Sequence, residues 1–376
     1  MPSTILRKQV LAEAQRVVVK IGTQLLARST AGAPEIDLEY VNDIADQIAS
    51  LRKRGLEVTL VCSGAIGAGC VALDLNKRPK DVSELQAVAA VGQRLLMTHF
   101  HDAFGRHKIE VGQVLLTRRD FDNRVRFLNI RNCVTHLHSL GCIPIINEND
   151  AVAVEELRFG DNDTLAALMT NALRADALVL LTVVEGLLDA DENVIELVDD
   201  IADVAQLAQK KMSDMGTGGM QTKLEAARLA TEAGEIAVIA NGREPDVLPR
   251  LFDAETIGTV FVPATKKLDS RSRWIALTKR PSGTVTIDDG AANALRKRGK
   301  SLLASGITAT TGQFDGGEVI MVRDQKGLEI ARGLSNYNSD EIHLIAGKRS
   351  NQFEKILGRK AYDEIIHRDN LVLING

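Results

Sequence analysis

Cysteine is scarce in this chain of 376 residues: Cys62, Cys70, Cys133 and Cys142. Four cysteines in this length make no disulfide framework, and none forms C-x-x-C, so neither a zinc ribbon nor a redox pair is expected. No apolar run reaches the roughly 18–20 residues of a membrane span. Met1 to Leu11 lacks the apolar core and cleavage site of a signal peptide, so a cytoplasmic chain with no membrane partner is expected. Net charge is only −4, with 45% apolar and 26% charged residues, the balance of a water-soluble globular protein. Two motifs are also missing. G-x-x-x-x-G-K-[ST] is absent, which excludes a P-loop, and no G-x-G-x-x-G dinucleotide fingerprint is read. His99/His101 and His136/His138 lie in helical patterns at i, i+2, which points each pair to different faces, so no metal site is expected.

What is present is a repeated grammar of apolar strand, polar or glycine-rich loop, and amphipathic helix. Strands are expected at 15–22, 58–62, 111–116, 143–146, 177–182 and 236–240. Helices are expected at 37–54, 81–106 and 126–140. Such alternation predicts a three-layer αβα sandwich with a mainly parallel sheet. Near residue 265 the composition turns polar and charged, and Arg280-Pro281-Ser282-Gly283 has the character of a linker. Short strands then dominate, around 283–287, 317–322 and 328–332. The expected organisation is an α/β domain over 1–265, a linker over 266–283, and a small, mostly β domain, a partly open barrel, over 284–376.

Chemistry-bearing residues gather after the strand ends, where open α/β sheets bind ligands. Gly216-Thr217-Gly218-Gly219-Met220-Gln221-Thr222-Lys223 runs straight into a helix pattern. Its glycines, the helix N-terminus and Lys223 suit a polyanion such as the phosphates of ATP, although a surface loop capped into a helix has the same local grammar. Lys20 ends the first strand beside Gly22. Ser63 opens a glycine-rich turn. Asn147, Glu148, Asn149 and Asp150 follow an apolar strand, and Asp161, Asn162 and Asp163 precede a helix that needs only one cap. Thr182 closes the strand from Ala177.

Taken in order, Lys20-Ile21-Gly22-Thr23, Ser63-Gly64-Ala65-Ile66, Ile146 to Asp150, Gly160 to Asp163 and Gly216 to Lys223 resemble the motifs of the glutamate 5-kinase family. Asp315-Gly316-Gly317-Glu318-Val319 and Ser335-Asn336-Tyr337-Asn338-Ser339 match its second domain, so the resemblance covers essentially the whole chain. It implies an amino-acid kinase fold followed by a PUA domain, and phosphorylation of the γ-carboxylate of L-glutamate by ATP with Mg2+. By kinship, Lys20, Lys223 and Asp163 would be catalytic. Ser63, Asn147, Asp150, Asp161 and Asn162 would hold glutamate. Lys20, Thr182, Val183, Thr217, Gly218, Gly219, Met220, Gln221, Thr222 and Lys223 would lie along ATP, and no dedicated protein metal site is implied. Feedback inhibition by proline and a homo-oligomer, dimer or tetramer, are implied as well.

Val183 stands where relatives commonly carry aspartate, and Glu185 also departs from their pattern, which leaves nucleotide preference open. A different amino-acid or carbamate substrate is one alternative; the Asn147–Asp150 and Asp161–Asp163 clusters favour an α-amino acid. RNA binding through the second domain is another. From residue 284 onward there are 13 Lys+Arg against 12 Asp+Glu, and only Phe314, Tyr337, Phe353 and Tyr362 are aromatic. So neutral and aromatic-poor a domain is not expected to bind RNA.

Overall fold

The computed structural model describes residues 11–30, 33–75, 77–153, 162–201, 203–204, 219–263 and 270–374. It divides into two compact units, Met1–Lys267 and Leu268–Gly376.

The first unit is built on β1 (Arg16–Ile21), whose Val17, Val18, Val19 and Ile21 have no exposed surface. A β-branched run buried on both faces is what the middle of a parallel sheet requires. β2 (Ala27–Thr30) and β3 (Ala33–Ile36) form a separate hairpin, which the sequence did not suggest. The main sheet adds β4 (Glu57–Cys62), β5 (Val111–Leu116), β6 (Ile143–Glu148), β7 (Ala177–Thr182), β8 (Leu197–Val198), β9 (Ile236–Asn241) and β10 (Thr259–Phe261). Its order is β5-β6-β4-β1-β7-β9-β10-β8. The pairs from β5 through β9 are parallel, whereas β10 runs antiparallel to β9. β1 therefore lies between β4 and β7, with Lys20 level with Val61 and Leu180. That register carries Lys20, Ser63, Asn147 and Thr182 to one end of neighbouring strands.

Two helices fix the turn after β4. Gly64, at φ +98°, caps the helix Ala65–Ala72; this left-handed conformation favours glycine. That helix packs on Val82–Gly105, whose first turn is capped by Asp81 accepting from Ser83 N and Glu84 N at 2.9 and 3.2 Å. The two helices meet backbone to backbone: a Cβ on Gly92 would lie 1.8 Å from Ala65 O, and one on Gly69 1.9 Å from Val88 O. Gly92→Ala is expected to destabilise the protein by about 1–3 kcal/mol or more, because the helices must separate. It should also shift the turn holding Ser63. A thermal melt and amide hydrogen exchange at the Ser63 turn check both effects; an unchanged melt would mean that the contact is more pliable than its geometry implies.

The second unit holds a five-stranded sheet: β11 (Gly283–Ile287), β12 (Ile307–Thr311), β13 (Val319–Arg323), β14 (Glu329–Leu334) and β15 (Leu371–Leu373), in the order β12-β11-β13-β14-β15. Only β11 and β13 pair in parallel. The sheet is open, with β12 and β15 as its edges. β12 and the helix Asp289–Arg298 are additions to the sequence reading; Asp288 caps that helix by accepting from Ala291 N at 2.7 Å. Within the stretch read as a linker, Ser270–Arg273 and Trp274–Thr278 form helical turns, and Trp274 to Thr278 are buried. Arg332 Nη1 of β14 donates to Ala276 O at 2.6 Å, which ties those turns to the sheet. Phe314, Tyr337 and Phe353 are buried, with Tyr337 and Phe353 edge to face at 5.7 Å. Three of the four aromatics are thus spent on packing the core.

Candidate active site

Two buried lysines meet on one carboxylate. Lys20 Nζ, at the end of β1, lies 2.6 Å from Asp163 Oδ1. Lys223 Nζ lies 3.1 Å from Asp163 Oδ2. The three residues are only 5%, 9% and 3% exposed, in the order Lys20, Lys223, Asp163. Asp163 stands in the first turn of the helix Asn162–Leu173, where the positive end of the helix dipole favours an anion. Burial opposes its ionisation, but Lys20 and Lys223 outweigh burial and hold the carboxyl below its usual range. Lys223 belongs to the helix Gly219–Glu232; its Nζ also donates to Gly219 O at 3.0 Å, and Thr222 Oγ1 donates to Asp163 Oδ2 at 2.9 Å. Two ammonium groups and one carboxylate sum to a single positive charge in a poorly solvated place. Such an arrangement suits a further anion brought to the lysines.

Beside this triad is a cluster of amides and a hydroxyl. Asn162 Nδ2 donates to Cys62 O, Ser63 Oγ and Asn147 Oδ1 at 3.1, 2.9 and 3.2 Å. Asn147 is buried in β6, and its Oδ1 also accepts from Glu148 N at 2.8 Å. The turn-like run read after the apolar strand is thus partly strand, since β6 continues through Asn147 and Glu148. Asn162 and Asp163 likewise belong to their helix rather than preceding it. Because they adjoin, one helix turn joins the amide cluster to the lysine pair. Among the described residues Asn162 Oδ1 is buried without a hydrogen-bond donor.

Asp150 is half-buried just beyond β6. Burial pushes its carboxyl up to about 6, and a hydrogen bond from Gln93 lowers it in part. Asp150, Gln93 and Gln113 line a cavity of about 620 Å³ that does not reach Lys20 or Lys223. Thr182 closes β7, where its carbonyl accepts from Gly242 N at 2.8 Å, and Val183 is exposed. Gly219 and Gln221 are exposed and Met220 half-buried in the first turns of the Gly219–Glu232 helix. No hydrogen bond or ion pair joins Thr182, Val183, Met220 or Gln221 to the lysine pair among the described residues. Glu185 accepts from Asn241 Nδ2 at 2.8 Å. Asp161, Thr217 and Gly218 lie outside the described residues.

The sequence reading missed Gln93. A signal was present: Gln93 interrupts the apolar stripe of Leu85, Val88 and Leu96 on its helix, and it is only 8% exposed. A buried glutamine needs partners for its amide, and so marks a polar network behind a helix face.

The amino acid kinase family model matches residues 15–241, and the PUA domain model residues 283–357. Glutamate 5-kinase of Caldanaerobacter subterraneus subsp. tengcongensis is 46% identical over 366 residues, which is 96% of this chain and 98% of that protein. Glutamate 5-kinase of Chromohalobacter salexigens is 45% identical over 373 residues, 98% of each chain. The solved carbamate kinase from Giardia lamblia bound to AMP-PNP is 18% identical, with a TM-score of 0.47 over 67% of this chain and 99% of that one. With a family model spanning more than half of the chain and relatives above 40% identical along nearly all of it, this chain belongs to the glutamate 5-kinase branch of the amino acid kinase family.

Proposed function

We propose that the chain transfers the γ-phosphoryl group of ATP to the γ-carboxylate of L-glutamate, giving L-glutamyl 5-phosphate, the opening step of proline synthesis. The observation that carries this reading is the Lys20–Asp163–Lys223 triad, one residue along a helix from the Ser63–Asn147–Asn162 cluster. A carboxylate is already nucleophilic, so no strong base is needed. A γ-carboxylate oxygen forms a bond to the γ-phosphorus while the β,γ-bridging P–O bond breaks, and ADP leaves with the electron pair. Such a transfer calls for positioning and neutralisation of charge. Lys20 and Lys223 neutralise the moving group, and Asp163 keeps the two ammonium groups apart and aimed.

Ser63, Asn147 and Asn162 hold the amino acid, with Asn162 Oδ1 suited to a donor such as the α-ammonium. Asp150 matches that ammonium by charge. Among the described residues no group of three or more His, Cys, Asp or Glu could hold a metal ion, and Asp163 is engaged by the lysines. This donor set fits Mg2+ carried on ATP oxygens and water, where the ion spreads the phosphate charge. ATP runs along Thr182, Val183 and residues 217–223 in this reading. Burial of three of the four aromatics supports a second domain without an RNA-stacking face. No helix among the described residues is long and apolar enough to cross a membrane. A cytoplasmic homo-oligomer restrained by proline completes the proposal.

ADP release from ATP, compared among glutamate, aspartate and N-acetylglutamate, tests the reaction. Glutamate should be preferred, and N-acetylglutamate, lacking the ammonium, should fail; equal rates would overturn the substrate assignment. The same assay carries a pH arm. Asp150 must be ionised to take the ammonium, and its carboxyl titrates at about 6. kcat/KM for glutamate should fall about tenfold per pH unit below that value. A folded pKa above the ordinary aspartate value of 3.8 means that ionising Asp150 subtracts stability as pH rises from 3.8 through about 6. A bound ammonium offsets this loss.

A further inference from the structure

We infer that Gln93 is a positioning residue for the amino-acid half of the site, setting the orientation of Asn147 through one amide. The inference rests on the glutamate reading above.

Gln93 uses both ends of its side chain. Its Oε1 accepts from Asn147 Nδ2 at 3.3 Å and from Gln113 Nε2 at 3.2 Å. Its Nε2 donates to Glu148 O at 3.1 Å, and Gln93 lines the same cavity as Asp150. Both lone pairs of Oε1 and one N–H of Nε2 are thereby engaged.

Fixed backbone groups set the direction of this chain of bonds. Glu148 N–H is a donor, so the Asn147 atom beside it must be Oδ1. Asn147 Nδ2 must then face Gln93, and the Gln93 atom that receives it must be Oε1. Glu148 O is an acceptor, so the Gln93 atom beside it must be Nε2. The backbone of Glu148 thereby dictates both amides. Asn147 Oδ1, held in turn, receives Asn162 Nδ2. Burial of Gln93 and Asn147 keeps water from scrambling the pattern.

Gln93 sits on the far helix rather than at a strand end, so a fold-level role and a site role predict different results. An amide that aims Asn147 on the wall of the cavity lined by Asp150 changes how glutamate binds and how Asp150 titrates. An amide that only fills the helix interface changes the melt alone.

Gln93→Met keeps the length and removes every hydrogen bond. It is expected to raise the glutamate KM by about tenfold to a hundredfold while the ATP KM stays within about twofold. The acid limb of kcat/KM for glutamate should also move to higher pH, because the carboxylate loses a donor that favours its ionised form. Gln93→Glu keeps the volume and the acceptors for Asn147 and Gln113 but loses the donor to Glu148 O, and it places a negative charge in the cavity that Asp150 lines. Its acid limb should move up further. A glutamate KM and an acid limb both unchanged in either folded variant would overturn the role. So would a lowered melting temperature with both KM values and the acid limb unmoved. Wild-type protein with no glutamate-dependent ADP release would sink the underlying assignment instead, and is measured first so that the two failures stay apart.

Discussion

Lys223→Ala is expected to lower kcat by about a hundred- to a thousand-fold, the usual loss when one group stabilising transition-state charge is removed. The glutamate KM should change little, because the proposed reading assigns the amino acid to Ser63, Asn147 and Asn162 rather than to Lys223. The helix should survive. Alanine is the best helix former, and Lys223 contributes one ion pair and one bond to Gly219 O rather than a core contact. Circular dichroism together with steady-state kinetics on one preparation separates loss of chemistry from loss of fold. Turnover within a few-fold of wild type would reduce Lys223 to a buried structural lysine. Lys223→Arg is no substitute, because a planar guanidinium cannot present a point charge at the same place.

A loss of stability and of activity together is the outcome expected for Asp163→Asn. Lys20 and Lys223 lie within 3.1 Å of a single carboxylate. Making that group neutral leaves two buried ammonium groups facing each other with no shared counter-charge. Breaking a buried ion pair by removing one partner costs about 3–5 kcal/mol. The pH dependence has a definite sign. The folded carboxyl lies below the ordinary aspartate value of 3.8, so the stability that it contributes is present above 3.8 and is lost as pH falls through its lower folded value. The gap between wild type and Asp163→Asn should be widest near neutrality and should shrink in acid. Denaturant melts at several pH values measure it, and a constant gap would mean that the carboxylate charge is not what joins the lysines.

Much of the first unit could be read from sequence because its signals are local. The helix expected at 37–54 is Leu38–Lys53, that at 81–106 is Val82–Gly105, and the strand at 177–182 is Ala177–Thr182. Each follows from a periodic or continuous apolar pattern within one segment. The hairpin of β2 and β3 has no such pattern in Ala-Arg-Ser-Thr and Ala-Pro-Glu-Ile, so only the pairing reveals it. β12 escaped for the same reason: apart from Ile307 it is alanine and threonine, on an edge of its sheet.

By itself, the sequence determined the alternation of strand and helix, and which side chains come after strand ends, because side-chain periodicity and turn chemistry act over a few neighbouring residues. Only the tertiary structure decided which of those side chains meet. Lys20 and Lys223 share Asp163 because β1 lies between β4 and β7, and because the helices carrying Asp163 and Lys223 converge on its end. Gln93 meets Asn147 by the same route, since its partners are set by the packing of a helix against β5 and β6 rather than by its neighbours in the chain.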